Sequence, residues 1–188
     1  MSSNIIFQDL PKVPSLATAH GTSMGLAFVV FFPLGALLVR FINSKHTVWI
    51  HAFCQLIGLA LTIAGLATGI RMAKIIDRLH NNAHTILGTI VVAALFLQPF
   101  IGYFHHRRYI RTQTQSIWGT VHVWYGRALL FLGIINGGLG LQLAKGSPAY
   151  SEAGMIVYSV LAGLSGVSLL GLMVYVYVRK GIGAKGDA

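Results

Sequence analysis

Four histidines, His20, His51, His84 and His122, each stand in the first turn or so of a long apolar segment, one to a segment. An imidazole offers a metal one nitrogen lone pair, and two imidazoles facing each other across a helix bundle can clamp an iron porphyrin from both faces. Consecutive membrane helices alternate in direction, so His20 and His84 fall near one membrane face, side A, and His51 and His122 near the other, side B. Each pair comes from helices one apart in sequence, which stand diagonally across an up-down four-helix bundle. The layout suggests two haems, one held by His20 with His84 and one by His51 with His122. Attachment would be noncovalent, because the single cysteine, Cys54, provides neither a disulfide nor a C-x-x-C-H haem motif. One histidine at a helix start is ordinarily a wet interfacial side chain, the default for His46, His80, His105 and His106. Four in register resist that explanation.

The elements that must position these residues are membrane helices. The 188 residues are 55% hydrophobic and only 10% charged, with mean hydropathy +0.70, far more apolar than a water-soluble domain. Five segments free of Asp, Glu and Lys lie between the charges, each longer than the roughly 20 residues that cross a hydrocarbon core. They predict helices at about 19–39, 48–70, 83–104, 118–143 and 155–178. The expected fold is an all-α membrane protein with five transmembrane helices, a four-helix dihaem bundle plus one peripheral helix, the fifth, which carries no histidine. Residues 1–19 form a short tail, 20–179 the transmembrane domain and 180–188 a basic C-terminal tail. The first 18 residues lack a basic start followed by an apolar run, so helix 1 is expected to act as its own insertion signal.

Charge sets the expected orientation. Side B collects eight basic residues, Arg40, Lys45, Arg107, Arg108, Arg111, Arg179, Lys180 and Lys185, against five on side A, Lys12, Arg71, Lys74, Arg78 and Lys145. The excess predicts a cytoplasmic side B, with the C-terminus inside and the N-terminus extracellular or lumenal. Basic flanks facing anionic headgroups account for the net charge of +10 without a nucleic-acid partner. The four acidic residues, Asp9, Asp77, Glu152 and Asp187, all lie in tails or loops, which argues against proton pumping through buried acids.

The histidine-bearing faces carry small and polar residues. At 100° per residue, Gly58, Gly65 and Gly69 share the face of His51, Gly88 and Gly102 that of His84, and Gly126, Gly133 and Gly140 that of His122. A flat macrocycle between helices would need such clearance, although ordinary close packing of membrane helices also uses glycine. Gln55, Gln98 and Asn136 lie on the same faces, suited to a haem contact or to interhelical hydrogen bonds. Arg127 lies about one and a half turns below His122, where a guanidinium needs a partner: a haem propionate, the side B headgroups or helix carbonyls. Pro99 should bend helix 3. His80 with His84 has the spacing of a zinc half-site that only Asp77 approaches, and His105 and His106 beside Arg107 and Arg108 form an interfacial basic cluster.

The runs "HGTSMGLAFVVFFPLGALLVR", "HAFCQLIGLALTIAGLATG", "HTILGTIVVAALFLQPFIGYFHH" and "VHVWYGRALLFLGIINGGLGLQL" together resemble the cytochrome b561 domain family, particularly the fungal type attached to an extracellular DOMON or cellobiose-dehydrogenase-like cytochrome domain. The likeness runs from about His20 to Arg179. It implies transmembrane electron transfer through two bis-histidine haems b, with the ligand roles on His20, His51, His84 and His122. An oxidoreductase of the ascorbate-dependent or ferric reductase type follows, passing electrons from a cytosolic reductant to ferric iron, monodehydroascorbate or a redox partner domain. Expected partners are membrane lipid, a small donor such as ascorbate, an extracellular redox domain or protein, and a second copy of the chain. Two features depart from the pattern: a 19-residue tail precedes His20 where such proteins carry a redox domain, and the extra leading helix of the ascorbate-reducing members is lacking. "ALLVR", Ala36 to Arg40, only partly resembles the motif associated with ascorbate binding. The competing reading is a non-redox membrane carrier or scaffold with metal-binding or structural histidines.

Overall fold

The computed structural model describes residues 5–186, with side chains as far as Val178. Residues 1–4 of the expected N-terminal tail and the side chains of the basic tail 180–188 lie outside the described residues. Five helices make up the fold, and no strand occurs among the described residues: α1 Phe7–Phe41, α2 Thr47–Ile75, α3 Ala83–Thr112, α4 Ile117–Ala144 and α5 Glu152–Gly186. All five are long and apolar enough to cross a membrane. Caps fix two of the starts: the Asn82 side chain accepts from the Thr85 N–H (3.0 Å), and Ser116 Oγ accepts from the Gly119 N–H (3.4 Å).

Helix α1 begins a dozen residues before the position expected from hydropathy. It opens with a 3₁₀ segment, Phe7–Lys12, tied to the end of α2 by the Ile6 N–H bonding to the Ile75 carbonyl (3.0 Å). Pro14 sits in the first turn of the α segment that follows, where its missing N–H costs nothing. Ser15 and Thr18 hide their hydroxyls by donating back to the Lys12 and Pro14 carbonyls. His20 consequently lies well inside a helix and not in its first turn.

Two prolines interrupt the helices, and each interruption is used. Pro33 cannot donate to Val29, and α1 widens to a π segment over Leu26–Phe31 just before it. The freed Val29 carbonyl accepts from Ser165 Oγ of α5 (2.6 Å). The bend expected at Pro99 is a break at Phe96–Leu97, between segments Ala83–Leu95 and Gln98–Thr112. There Tyr125 Oη of α4 donates to the Ala94 carbonyl (2.9 Å).

Helices α1 with α2, and α3 with α4, pack as two close hairpins that meet chiefly through α1 and α4. The α2 and α3 backbones make at most slight contact. The main core cluster is apolar, built from Ala27, Phe28, Phe32, Val91, Leu95, Leu129, Leu130 and Leu169, and the buried hydroxyls of Thr62 and Ser165 are each spent on a backbone carbonyl. The Phe28 ring fills the notch at Gly133, and the Phe32 ring lies where a Gly58 Cβ would approach within 2.5 Å. Helix α5 packs outside on α1 and α4, its Tyr158 set in the Gly137 notch with Oη donating to the Ile134 carbonyl (2.6 Å). Large apolar side chains such as Trp49, Phe53, Phe100 and Val167 cover the outside, as lipid contact requires. Ser165→Ala and Tyr158→Phe should each lower stability by about 0.5–2 kcal/mol, read by detergent-unfolding titration of the purified protein. Gly163→Ala, facing open space, should cost nothing.

Candidate functional site

The imidazoles meet in two diagonal pairs. The His20 and His84 ring centres stand 5.8 Å apart with planes at 87°, and those of His51 and His122 stand 6.2 Å apart at 80°. Three of the four rings are oriented by a backbone carbonyl of the adjacent helix. Nδ1 of His20 bonds the Gly65 carbonyl (2.7 Å), Nδ1 of His51 that of Gly35 (2.9 Å) and Nδ1 of His84 that of Asn136 (2.9 Å). A carbonyl oxygen only accepts, so each of these Nδ1 atoms carries the proton and Nε2 is left with the lone pair. Within each hairpin the acceptor follows a fixed rule: Gly65 and Asn136 stand fourteen residues beyond His51 and His122, and Gly35 fifteen beyond His20. Fourteen residues of helix rise about 21 Å, which separates the two pairs along the bundle.

Glycines make these exchanges sterically possible. An added Cβ would lie 2.6 Å from His20 Nδ1 at Gly69, 2.8 Å from His84 Cε1 at Gly140 and 2.9 Å from His122 Cε1 at Gly102. Each of these glycines lies eighteen residues beyond its own helix's histidine, five whole turns along the same face. The spacing read as clearance for a macrocycle thus receives, in this structure, the imidazole of a neighbouring helix. The amides are seated the same way: Gln55 against Gly35, Gln98 against Gly126 and Asn136 against Gly88. Gln55 Nε2 donates to the Phe32 carbonyl (3.1 Å) and Gln98 Nε2 to that of His122 (3.2 Å).

Arg127 takes a different place. Its guanidinium lies 5.1 Å over the Trp124 ring, a cation–π contact on its own helix, and no hydrogen bond joins it to either imidazole pair. His80 is exposed, and among the described residues no group of three or more His, Cys, Asp or Glu is placed to hold a metal ion by protein side chains alone. His105 joins the side B pair unexpectedly: its ring is 6.4 Å from that of His122, nearly parallel at 18°. A sequence signal for it existed, since Gly102–His105 and Gly119–His122 repeat the same G-x-x-H spacing on facing helices. Beyond His105, at the side B end, a cavity of about 520 Å³ is lined by Arg107, Arg108, Arg111, Tyr103, Phe104 and Trp118 among others. On side A a smaller cavity of about 290 Å³ reaches the His84 edge between Asn82 and Gln142.

Comparisons with known proteins identify the family. The family model for eukaryotic cytochrome b561 matches residues 5–145. The chain belongs to the cytochrome b561 family. It is similar to two Arabidopsis thaliana proteins described as cytochrome b561 and DOMON domain-containing proteins. One is 28% identical over 155 residues, covering 76% of this chain and 36% of the relative. The other is 30% identical over 129 residues, covering 68% and 32%. The chain thus spans about a third of the length of the curated relatives it matches. No solved structure matches it.

Cytochromes b561 are integral membrane proteins that carry electrons across a membrane with haem, and the residues present fit such a group. Metal–imidazole bonds of about 2.0–2.1 Å on both sides of one iron would set ring centres roughly 6 Å apart. The pairs found here stand at 5.8 and 6.2 Å. Among the described residues four buried side-chain atoms lack a hydrogen-bond partner, Gln98 Oε1, Asn136 Oδ1 and Nδ1 of His105 and His122, and all belong to these two clusters. Gly69→Ala or Gly140→Ala should overpack its imidazole and cost about 1–3 kcal/mol, measured by detergent-unfolding titration, whereas Gly166→Ala, with nothing within 4 Å, should be silent.

Proposed function

We propose that this chain carries electrons across its membrane through two bis-histidine haem b groups, His20 with His84 on side A and His51 with His122 on side B. The observation that carries the reading is the two imidazole pairs at opposite ends of the bundle, three of whose rings have Nδ1 engaged by a carbonyl. Haem bound there supplies a reversible one-electron couple at each end. A haem held by an imidazole on each face would keep no coordination position for oxygen or substrate, so these residues would suit it to electron exchange and not to ligand activation. The carbonyl bonds fix ring orientation and leave Nε2 as the nitrogen with the free lone pair. Gln98 and Asn136 brace the helices beside the pairs, and the apolar middle excludes water and protons from the path. Arg127 is assigned to the lipid interface through Trp124, not to a propionate.

The donor is an anionic cytosolic reductant of the ascorbate type, docking in the side B cavity against Arg107, Arg108 and Arg111. The acceptor on side A is ferric iron, monodehydroascorbate or a redox domain, in line with the DOMON domains named in the relatives. An interior-negative potential favours outward electron flow by roughly 2.3 kcal/mol per 100 mV.

Haem content of purified variants tests the pairing. His20→Ala and His84→Ala should each remove the same haem, and the double change should be no worse than either single one. His51→Ala should remove the other, and His20→Ala with His51→Ala should empty both sites. Loss of both haems from the His20→Ala, His84→Ala double variant, with its helices intact, would overturn the pairing. A purified protein free of any haem would overturn the redox reading altogether.

Two further measurements address direction. Arg108→Gln with Arg111→Gln should raise KM for ascorbate about tenfold or more while leaving both haem spectra intact. A tag after Ala188 should resist protease added outside intact cells, and its cleavage would reverse the assigned sidedness.

A further inference from the structure

We propose that His105 is a positioning residue of the side B site: its imidazole, clasped against His122 by a reciprocal exchange of glycine notches, sets the plane of the His122 ring. The inference rests on the reading of His51 and His122 as haem ligands.

His122 differs from the other three imidazoles in having no carbonyl for Nδ1. By the spacing that serves His20, His51 and His84, its acceptor would stand fourteen or fifteen residues beyond His84, at Gln98 or Pro99. That is where α3 breaks, at Phe96–Leu97, and restarts with proline in its first turn. Gln98 gives its side-chain N–H to the His122 carbonyl and nothing to the ring. No hydrogen bond therefore fixes the torsion of the His122 imidazole.

Packing takes over that task. The His122 ring occupies the notch at Gly102, one turn before His105 on α3, while the His105 ring occupies the notch at Gly119, one turn before His122 on α4. Added Cβ atoms would come within 2.9 and 2.6 Å of those rings. The two imidazoles end side by side, 6.4 Å apart and 18° from parallel, and Tyr109 stands 6.2 Å from the far ring. Turning His122 out of this arrangement swings its edge toward His105, which is itself held against the Gly119 backbone.

Ring plane has an electronic consequence. An axial imidazole donates π density into the iron d orbital perpendicular to its plane, so the angle between two axial rings governs the anisotropy of a low-spin ferric centre. Perpendicular planes give the largest g value. The 80° between His51 and His122 is the angle that the clasp maintains.

The test is electron paramagnetic resonance of the oxidised, haem-loaded protein, with a redox titration of both haems. His105→Ala should move one of the two low-spin signals to a lower maximum g value and shift one of the two midpoint potentials, leaving the other haem unchanged. His105→Phe, which keeps a flat ring in the Gly119 notch, should restore the wild-type signal, and His106→Ala should leave both signals alone. Gly119→Ala, which pushes His105 off its seat, should perturb the same single signal. Unchanged spectra in His105→Ala would overturn the proposal, as would equal shifts in both haems. Should His105→Ala lose the side B haem, His105→Phe decides: a wild-type signal supports the clasp, and a lost one overturns it. Wild-type protein without haem would instead be a failure of the underlying haem reading.

Discussion

An imidazole buried between membrane helices has one N–H that lipid cannot satisfy and that must find an acceptor in the protein. Helix carbonyls already accept one backbone bond, yet each keeps a second lone pair, and His20, His51 and His84 use it at Gly65, Gly35 and Asn136. Reaching a neighbouring backbone demands that no Cβ intervene. At Gly69 and Gly140 an added Cβ would strike the His20 and His84 rings; hence glycine there, hence the tight pairing of α1 with α2 and α3 with α4, and hence imidazoles whose Nε2 atoms are left to the bundle interior. Hairpin spacing, glycine placement and ring orientation are three views of one requirement.

The irregular segments obey the same accounting. Proline removes a donor and leaves a carbonyl in need of one. Near Pro33 the carbonyl of Val29 is met by Ser165, which fastens α5 to the outside of the bundle. At the α3 break the Ala94 carbonyl takes both the Leu97 N–H (3.2 Å) and Tyr125 Oη (2.9 Å), and the break also removes the acceptor that the spacing would give His122. A backbone interruption in one helix is thereby felt as an unanchored ring in the next.

Much of this was legible in the sequence, and the misses have physical causes. Charge gaps located five helices because charged side chains tolerate lipid so poorly. Helix alternation was enough to say which imidazoles approach each other. The start of α1 was misjudged because Ser15 and Thr18 read as polar, whereas their hydroxyls bond back to the helix and present little polarity outward. The glycine faces were visible as an eighteen-residue periodicity, but periodicity names a face without naming its occupant, which here is a neighbour's imidazole, phenyl ring, amide or thioether. His105 was masked by its company: beside His106 and three arginines it looked like part of a wet basic cluster, and only the facing G-x-x-H on α4 gives it away.

Each imidazole pair draws one member from each hairpin, α1 with α3 and α2 with α4. A half-made chain that has inserted only α1 and α2 therefore holds two solitary imidazoles at opposite membrane faces, and neither pair is complete until the second hairpin arrives. The helix order that separates the two pairs also makes them report on synthesis: the first to close, His20 with His84, waits for α3, and the second waits for α4. Neither hairpin by itself can present a complete imidazole pair.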